Sequence, residues 1–217
     1  MRYTPAQPEL TVSHPPSIHH AVLNLLSARK GHFLLESGHH GDLWLDLELL
    51  CQRPKLLQPL AEELAGRLQG HNIDHICGPL VEGAFLALLV ASALDVEFSY
   101  AERFTKPTND ALFPAGYRVP TLLRATLKGK RVALVNDVIN AGSSMRGTIE
   151  DLESCGATVA VIATLLTLGP AARQYATAKN IPLETLATLP NHLWTPDACP
   201  LCTSGTPLQN IAGFGTG

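Results

Sequence analysis

The run Arg131-Val-Ala-Leu-Val-Asn-Asp-Val-Ile-Asn-Ala-Gly-Ser-Ser-Met-Arg146 constrains this chain more than any other stretch. Val132 to Val135 read as a short strand buried on both faces, leading into Asn136 and Asp137 at its carboxyl end. Small residues from Asn140 to Ser144 then form a turn. From Ser144 to Cys155 the pattern is helical, with Ile149 and Leu152 facing inward and Gly156 as the stop. A strand that turns tightly into a helix leaves free backbone N–H groups and a positive helix end where open α/β sheets bind their ligands. Gly142 lets the backbone approach a ligand, Ser143 and Ser144 add hydroxyl donors, and Asp137 is placed to accept hydrogen bonds from sugar hydroxyls. Together they suit a ribose 5-phosphate. A capped helix after a buried strand has the same outline in any α/β protein, so the run alone leaves both readings open.

The rest of the chain repeats the strand-helix alternation expected of a parallel sheet. Ser17 to Lys30 is a first helix candidate. Pro54 opens a second, whose stripe of Leu56, Leu57, Leu60, Leu64 and Leu68 ends at Gly70. Strands are expected at Ile73 to Cys77, Val96 to Tyr100, Val132 to Val135 and Thr158 to Leu166, with an all-apolar, buried helix from about Gly83 to Leu94. Ala101 to Gly116 lacks periodicity and reads as a long lid-like loop. At 217 residues, with 46% hydrophobic and 16% charged residues, the chain can bury a large core as one domain. The balance of 16 basic to 19 acidic residues supplies no cationic face for nucleic acid. No apolar run reaches the roughly 20 residues of a membrane span. Residues 1–16 read as a loose arm without the features of a secretory signal. Five scattered cysteines point to a reducing cytoplasm.

Several motifs in register resemble the type I phosphoribosyltransferases, and the orotate phosphoribosyltransferases in particular. The 131–146 run resembles that family's motif for phosphoribosyl diphosphate (PRPP): four hydrophobic residues, two acids and a small-residue turn. Gly31-His-Phe-Leu-Leu-Glu-Ser-Gly38, followed by Trp44-Leu-Asp46, is similar to the N-terminal segment of the orotate enzymes. Gly78, Pro79, Leu80, Val81, Glu82 and Gly83 stand where the family has its diphosphate loop, and Ala101 to Gly116 where it has its mobile catalytic loop. The resemblance spans residues 17 to 168. It implies a central, mostly parallel sheet flanked by helices, with a small hood from the chain ends. The expected divisions are a phosphoribosyltransferase domain at 17–190 and a tail at 191–217.

Family membership further implies displacement of diphosphate from PRPP by a base nitrogen, with Mg2+ on the diphosphate and a homodimer whose mobile loops reach across subunits. Carried over, Asn136, Asp137, Val138, Ile139, Asn140, Ala141, Gly142, Ser143 and Ser144 bind PRPP and its 5-phosphate. Asp137 would hold the ribose hydroxyls. Arg103 and Lys106 are the loop cations, with Lys106 facing the departing diphosphate. Phe33, Glu36, Trp44, Leu45 and Leu168 fall in the base-binding region. Asn136 replaces the first of the paired acids, Glu36 and Glu82 stand at lysine positions of the orotate enzymes, and Leu168 stands where an arginine would grip the orotate carboxylate. Those changes argue against orotate as the acceptor. They also keep open a protein that binds PRPP or a nucleotide as a sensor without turnover. Cys199 and Cys202, in a Cys-x-x-Cys turn, are candidate zinc ligands, with His192, Cys51, Cys77, Cys155 or a dimer partner to complete the set.

Overall fold

The computed structural model describes residues 18–106 and 112–211. The arm expected over 1–16, positions 107–111 of the expected mobile loop, and residues 212–217 lie outside the described residues. The chain opens with helix α1 (Ile18–Leu25) and an antiparallel hairpin of β1 (Ser27–Leu34) and β2 (His40–Asp46). Helix α2 (Pro54–Leu68), strand β3 (His75–Pro79), helix α3 (Glu82–Leu94) and strand β4 (Glu97–Thr105) follow. Next come β5 (Ala115–Arg118), the single turn α4 (Thr121–Arg124), β6 (Arg131–Ile139), α5 (Ser143–Ser154) and β7 (Thr158–Leu168). Helix α6 (Ala171–Lys179), β8 (Leu183–Leu189), the short β9 (Leu193–Trp194) and the single turn α7 (Pro200–Thr203) complete the described chain.

The main sheet has the order β5-β4-β3-β6-β7-β8 and is parallel except for the edge strand β5. Alternation along β6 explains why it needs cover on both sides: successive strand side chains point to opposite faces. Ala133 and Val135 join the core formed with Leu57 and Leu64 of α2 and Leu86 and Val90 of α3. Val132 and Leu134 join Met145, Ile149 and Leu152 of α5 and Ala172 of α6 on the other face. The chain winds from β3 outward through β4, then returns to place β6 on the other side of β3. The carboxyl ends of β3 and β6 therefore flank the point where the winding reverses, which is where a crevice forms. A second, antiparallel sheet, β1-β2-β9, forms the hood and includes the 193–194 segment of the tail.

Three expectations are corrected. The first helix stops at Leu25, because Ser27 to Lys30 pair with Asp46 to Leu43 across the hairpin. The expected loop from Ala101 is strand as far as Thr105, and its return arm is β5, with Glu102 opposite Arg118 and Thr105 opposite Ala115. The outer half of β4 is exposed from Glu102 to Thr105, and β5 is only four residues long, so neither shows an apolar period although three residues of β5 are buried. Helix α3 is not buried all round: Phe85 and Leu88 are about half exposed, at 47% and 50%, on the face away from the sheet.

Two glycines test this packing in opposite directions. A Cβ on Gly78 would lie 2.6 Å from Gly83 O and 2.8 Å from Ala84 Cα, backbone atoms that cannot rotate away. Gly66 on α2 is exposed and has open space around it. Gly78→Ala is expected to lose about 1–3 kcal/mol in urea unfolding, and Gly66→Ala to gain about 0.5–1 kcal/mol.

Candidate active site

A cleft of about 770 Å³ opens over the carboxyl ends of β3 and β6. One wall is the loop Pro79, Leu80, Val81, Glu82 and Gly83, and its floor is Asn136, Asp137 and Val138. The turn Asn140 to Ser144 and Leu168 at the end of β7 close one side, and Glu36, Trp44 and Leu45 of the hood close another. Five expected site residues do not line it. Gly78 and Ile139 lie in the packed layer beneath, Ile139 being 1% exposed. Phe33 is buried against Trp44, with ring centroids 6.0 Å apart, and so supports that side chain from behind. Arg103 reaches the rim through Glu36. Lys106 lies 3.7 Å from the Glu150 carboxylate and lines a separate small depression with Phe104 and Gly147.

The cradle is held by close approach and by one bracketing side chain. Asn136 donates from Nδ2 to Val138 O at 3.2 Å and to Ser144 Oγ at 3.1 Å, while its Oδ1 accepts from Asp137 N at 3.1 Å. The position that carries an acid in the resembling family here ties the strand end to the start of α5. Gly83 packs against that same amide: a Cβ there would collide with Asn136 Oδ1. Gly142 takes φ +84°, the left-handed region that suits glycine, at the cap of α5. Asn191 Nδ2 donates to Asn140 Oδ1 at 2.7 Å, so the segment after β8 also fixes the turn.

Charge in the cleft is mostly negative. Among the described lining residues the acids are Glu36, Asp46, Glu48, Glu82 and Asp137, and the cation is Arg29, which pairs with Asp46. Burial pushes the Asp137 carboxyl up to about 7; Glu82 adds to the rise, and the Val138 N–H opposes it. Glu36 points at the N-terminus of α5. It accepts from Ser143 Oγ at 2.7 Å, from Tyr117 OH at 2.9 Å and from Arg103 Nε at 3.1 Å. Burial, and then the Glu36 carboxylate, raise the Tyr117 phenol far above its ordinary value, keeping it a donor. A carboxylate thus occupies the anion-attracting N-terminal end of α5.

Arg29, Tyr117 and Ser37 also line the cleft, and sequence reasoning missed them. Arg29 was hidden inside the first helix expectation, and Tyr117 follows directly on the expected 101–116 loop, in the short β5 that the sequence pattern did not mark. The Cys199 and Cys202 thiols have neighbours other than those expected. His192 instead bonds Asp42 at 2.8 Å and stacks on Trp194, while Cys51, Cys77 and Cys155 lie outside the group. The nearby side chains are His32 and His40 of the hairpin.

Residues 51–187 match the phosphoribosyl transferase domain. An orotate phosphoribosyltransferase of Caldanaerobacter subterraneus subsp. tengcongensis is 32% identical over 179 residues, 82% of this chain and 87% of that protein. One from Helicobacter pylori is 29% identical, covering 86% of this chain and 93% of that protein. Among solved structures, orotate phosphoribosyltransferase from Aeropyrum pernix superposes with a TM-score of 0.59 at 23% identity, covering 79% of this chain and 93% of that one. Adenine phosphoribosyltransferase from Trypanosoma brucei gives a TM-score of 0.62 at 20% identity, covering 79% of each chain. With the domain match spanning most of the chain and the sheet, crevice and hood in the places the motifs require, this chain belongs to the phosphoribosyltransferase family and resembles its orotate-enzyme branch.

Proposed function

We propose that this chain transfers the phosphoribosyl group of PRPP to a nitrogenous base. The bond from C1 of the ribose to the diphosphate oxygen breaks, diphosphate leaves with the electron pair, a C–N bond forms, and the base nitrogen loses its proton. The observation that carries this reading is the pairing of Asp137 with the Gly142–Ser143–Ser144 turn across from the Pro79–Gly83 loop, within one crevice. Asp137 accepts from the ribose hydroxyls, the turn and the helix end take the 5-phosphate, and the loop receives the diphosphate. Trp44 offers a flat face to the base, and Leu168 gives that end of the site an apolar rather than a carboxylate-gripping character, which favours an acceptor other than orotate. Oxygen donors on Asp137 and Glu82 suit a hard cation such as Mg2+, which would offset the charge of the leaving diphosphate.

Lys106, with Arg103 nearer the rim, is the cation we assign to the leaving group, supplied to the partner's cleft in a homodimer. The half-exposed apolar face of Val81, Phe85 and Leu88, spaced at one helical stripe, supports such an interface. Five free cysteines fit a cytoplasmic setting, and no helix among the described residues is long and apolar enough to cross a membrane. The acid-rich cleft and the seating of Glu36 on α5 favour, as a second reading, a PRPP sensor without turnover.

Calorimetry with PRPP and Mg2+, followed by a screen of purine and pyrimidine bases for diphosphate release, separates the two: release with one base supports transfer, and binding with no release on any base supports the sensor. Asp137→Asn should weaken PRPP binding by about 1–3 kcal/mol. Because burial pushes the free carboxyl up to about 7, wild-type affinity should rise with pH through that value as the carboxylate forms, and Asp137→Asn should lose this component. The linkage sign for stability is the reverse. A folded-state value raised above the unfolded one penalises folding at about pH 8 and not at about pH 4, so Asp137→Asn should stabilise the free protein at the higher pH alone. Glu36→Gln keeps hydrogen-bonding capacity while removing the competing charge, and is expected to tighten ribose 5-phosphate binding about tenfold, or about 1.4 kcal/mol. Weaker binding by that variant would show that the carboxylate helps hold the ligand.

A further inference from the structure

We propose that His32, His40, Cys199 and Cys202 form a structural zinc site that staples the C-terminal tail across the hood hairpin. The four donor atoms come from three separate pieces of chain: His32 from β1, His40 from β2, and the two cysteines from the turn around α7. All four lie within 4.8 Å of one another. His32 Nε2 is 3.0 Å from His40 Nδ1, 3.4 Å from Cys199 Sγ and 3.8 Å from Cys202 Sγ, and Cys202 Sγ is 3.3 Å from His40 Nδ1. Zinc with ordinary Zn–N and Zn–S bonds in a tetrahedron has edges of about 3.3–3.8 Å, so these separations already have the scale of a ligand shell.

Protons account for the cluster less well than a cation does. His32 Nδ1 lies 2.8 Å from the carbonyl of Thr206, which can only accept, so Nδ1 carries the hydrogen and Nε2 presents its lone pair. Toward that single lone pair converge an imidazole nitrogen and two sulfurs. It can accept well from one of them. A metal ion instead uses the lone pair and two thiolates together, and the Thr206 carbonyl becomes the outer partner that orients the ligating ring. Two sulfurs and two imidazole nitrogens in a compact tetrahedral group select zinc among common divalent ions. Four protein ligands leave no open coordination position, and none of the four lines the cleft, so the role is structural.

What the staple holds is visible in the backbone. Leu34 N donates to Gln209 O at 2.9 Å and Gln209 N donates to His32 O at 2.8 Å, laying the tail along β1. Ile211, two residues on, lines the cleft. His40 pairs with Trp194 in the hood sheet. His32, Cys199 and His40 are almost fully buried, at 1%, 2% and 5%, although the tail around them is largely exposed and offers little apolar cover of its own. The metal would therefore fix both the tail and the hairpin that carries Glu36 and Trp44. This inference is independent of the acceptor base and of turnover.

Untagged protein, produced with zinc in the medium and purified under reducing conditions, should contain about one zinc per chain by elemental analysis. Stripped protein refilled with cobalt(II) should show the visible bands of a tetrahedral site together with thiolate charge transfer. Cys202→Ser, at the exposed ligand, and His40→Ala should lose both signals, whereas Cys155→Ser should keep them. Should a ligand variant fail to fold, the cobalt spectrum of the wild type still decides. Chelation should also speed proteolytic cleavage between residues 195 and 211 by about tenfold or more, as tail opening becomes more populated. Less than a tenth of an equivalent of zinc with no cobalt spectrum would overturn the site, and an unchanged cleavage rate on chelation would overturn its stapling role.

Discussion

The approach of Gly83 to Asn136 is the constraint on which the site depends. It brings the loop after β3 against the end of β6 at the one place where strand order reverses, and a Cβ at residue 83 would displace the Asn136 amide from its present position. Asn136 turns that proximity into rigidity, since one amide bonds Val138, Ser144 and the Asp137 backbone together. An ionised acid at this position would supply no N–H donor for the Val138 carbonyl, so that bond belongs to the amide, whereas the Ser144 hydroxyl can donate to a carboxylate as readily as it accepts from an amide. The amide thus adds the Val138 bond without adding a charge to the cleft.

Charge constrains the same cleft. A carboxyl buried beside Glu82 is raised to about 7, while Glu36 holds the Ser143 hydroxyl, the Tyr117 phenol and Arg103 together at the start of α5. The cleft is thus organised around negative groups, although the ligand proposed for it is a polyanion. In the proposed reaction a divalent cation would offset that charge, and a phosphate at the start of α5 would compete with Glu36 for the Ser143 hydroxyl. The hood that carries Glu36 is a three-stranded sheet separate from the main one; its Leu45 packs into the main core, and the tail bridges to β1 at Phe33.

Much of the sheet was legible because buried parallel strands announce themselves as apolar runs: β3, β6 and β7 fall where Ile76, Leu134 and Ile162 mark them. The cradle was legible for a different reason, since Gly142 and the serines beside it are chemistry at fixed spacing on one turn. Arg29 and Tyr117 were not, because each reaches the cleft through an edge pairing whose residues carry no apolar period. Phe85 and Leu88 looked buried because composition reports how apolar a helix is and not which of its faces finds a partner.

The sequence by itself determined the layered α/β arrangement, the placement of Asp137 and the 140–144 turn at a strand end, and the family, because these follow from local periodicity and from motifs a few residues long. Tertiary structure alone decided which groups meet across long intervals of chain: Glu36 with Ser143, Lys106 with Glu150, and His32 and His40 with Cys199 and Cys202. The physical reason is that hairpin register and tail docking, set by backbone pairing between distant segments, bring those side chains together, and such pairing leaves almost no trace in local composition.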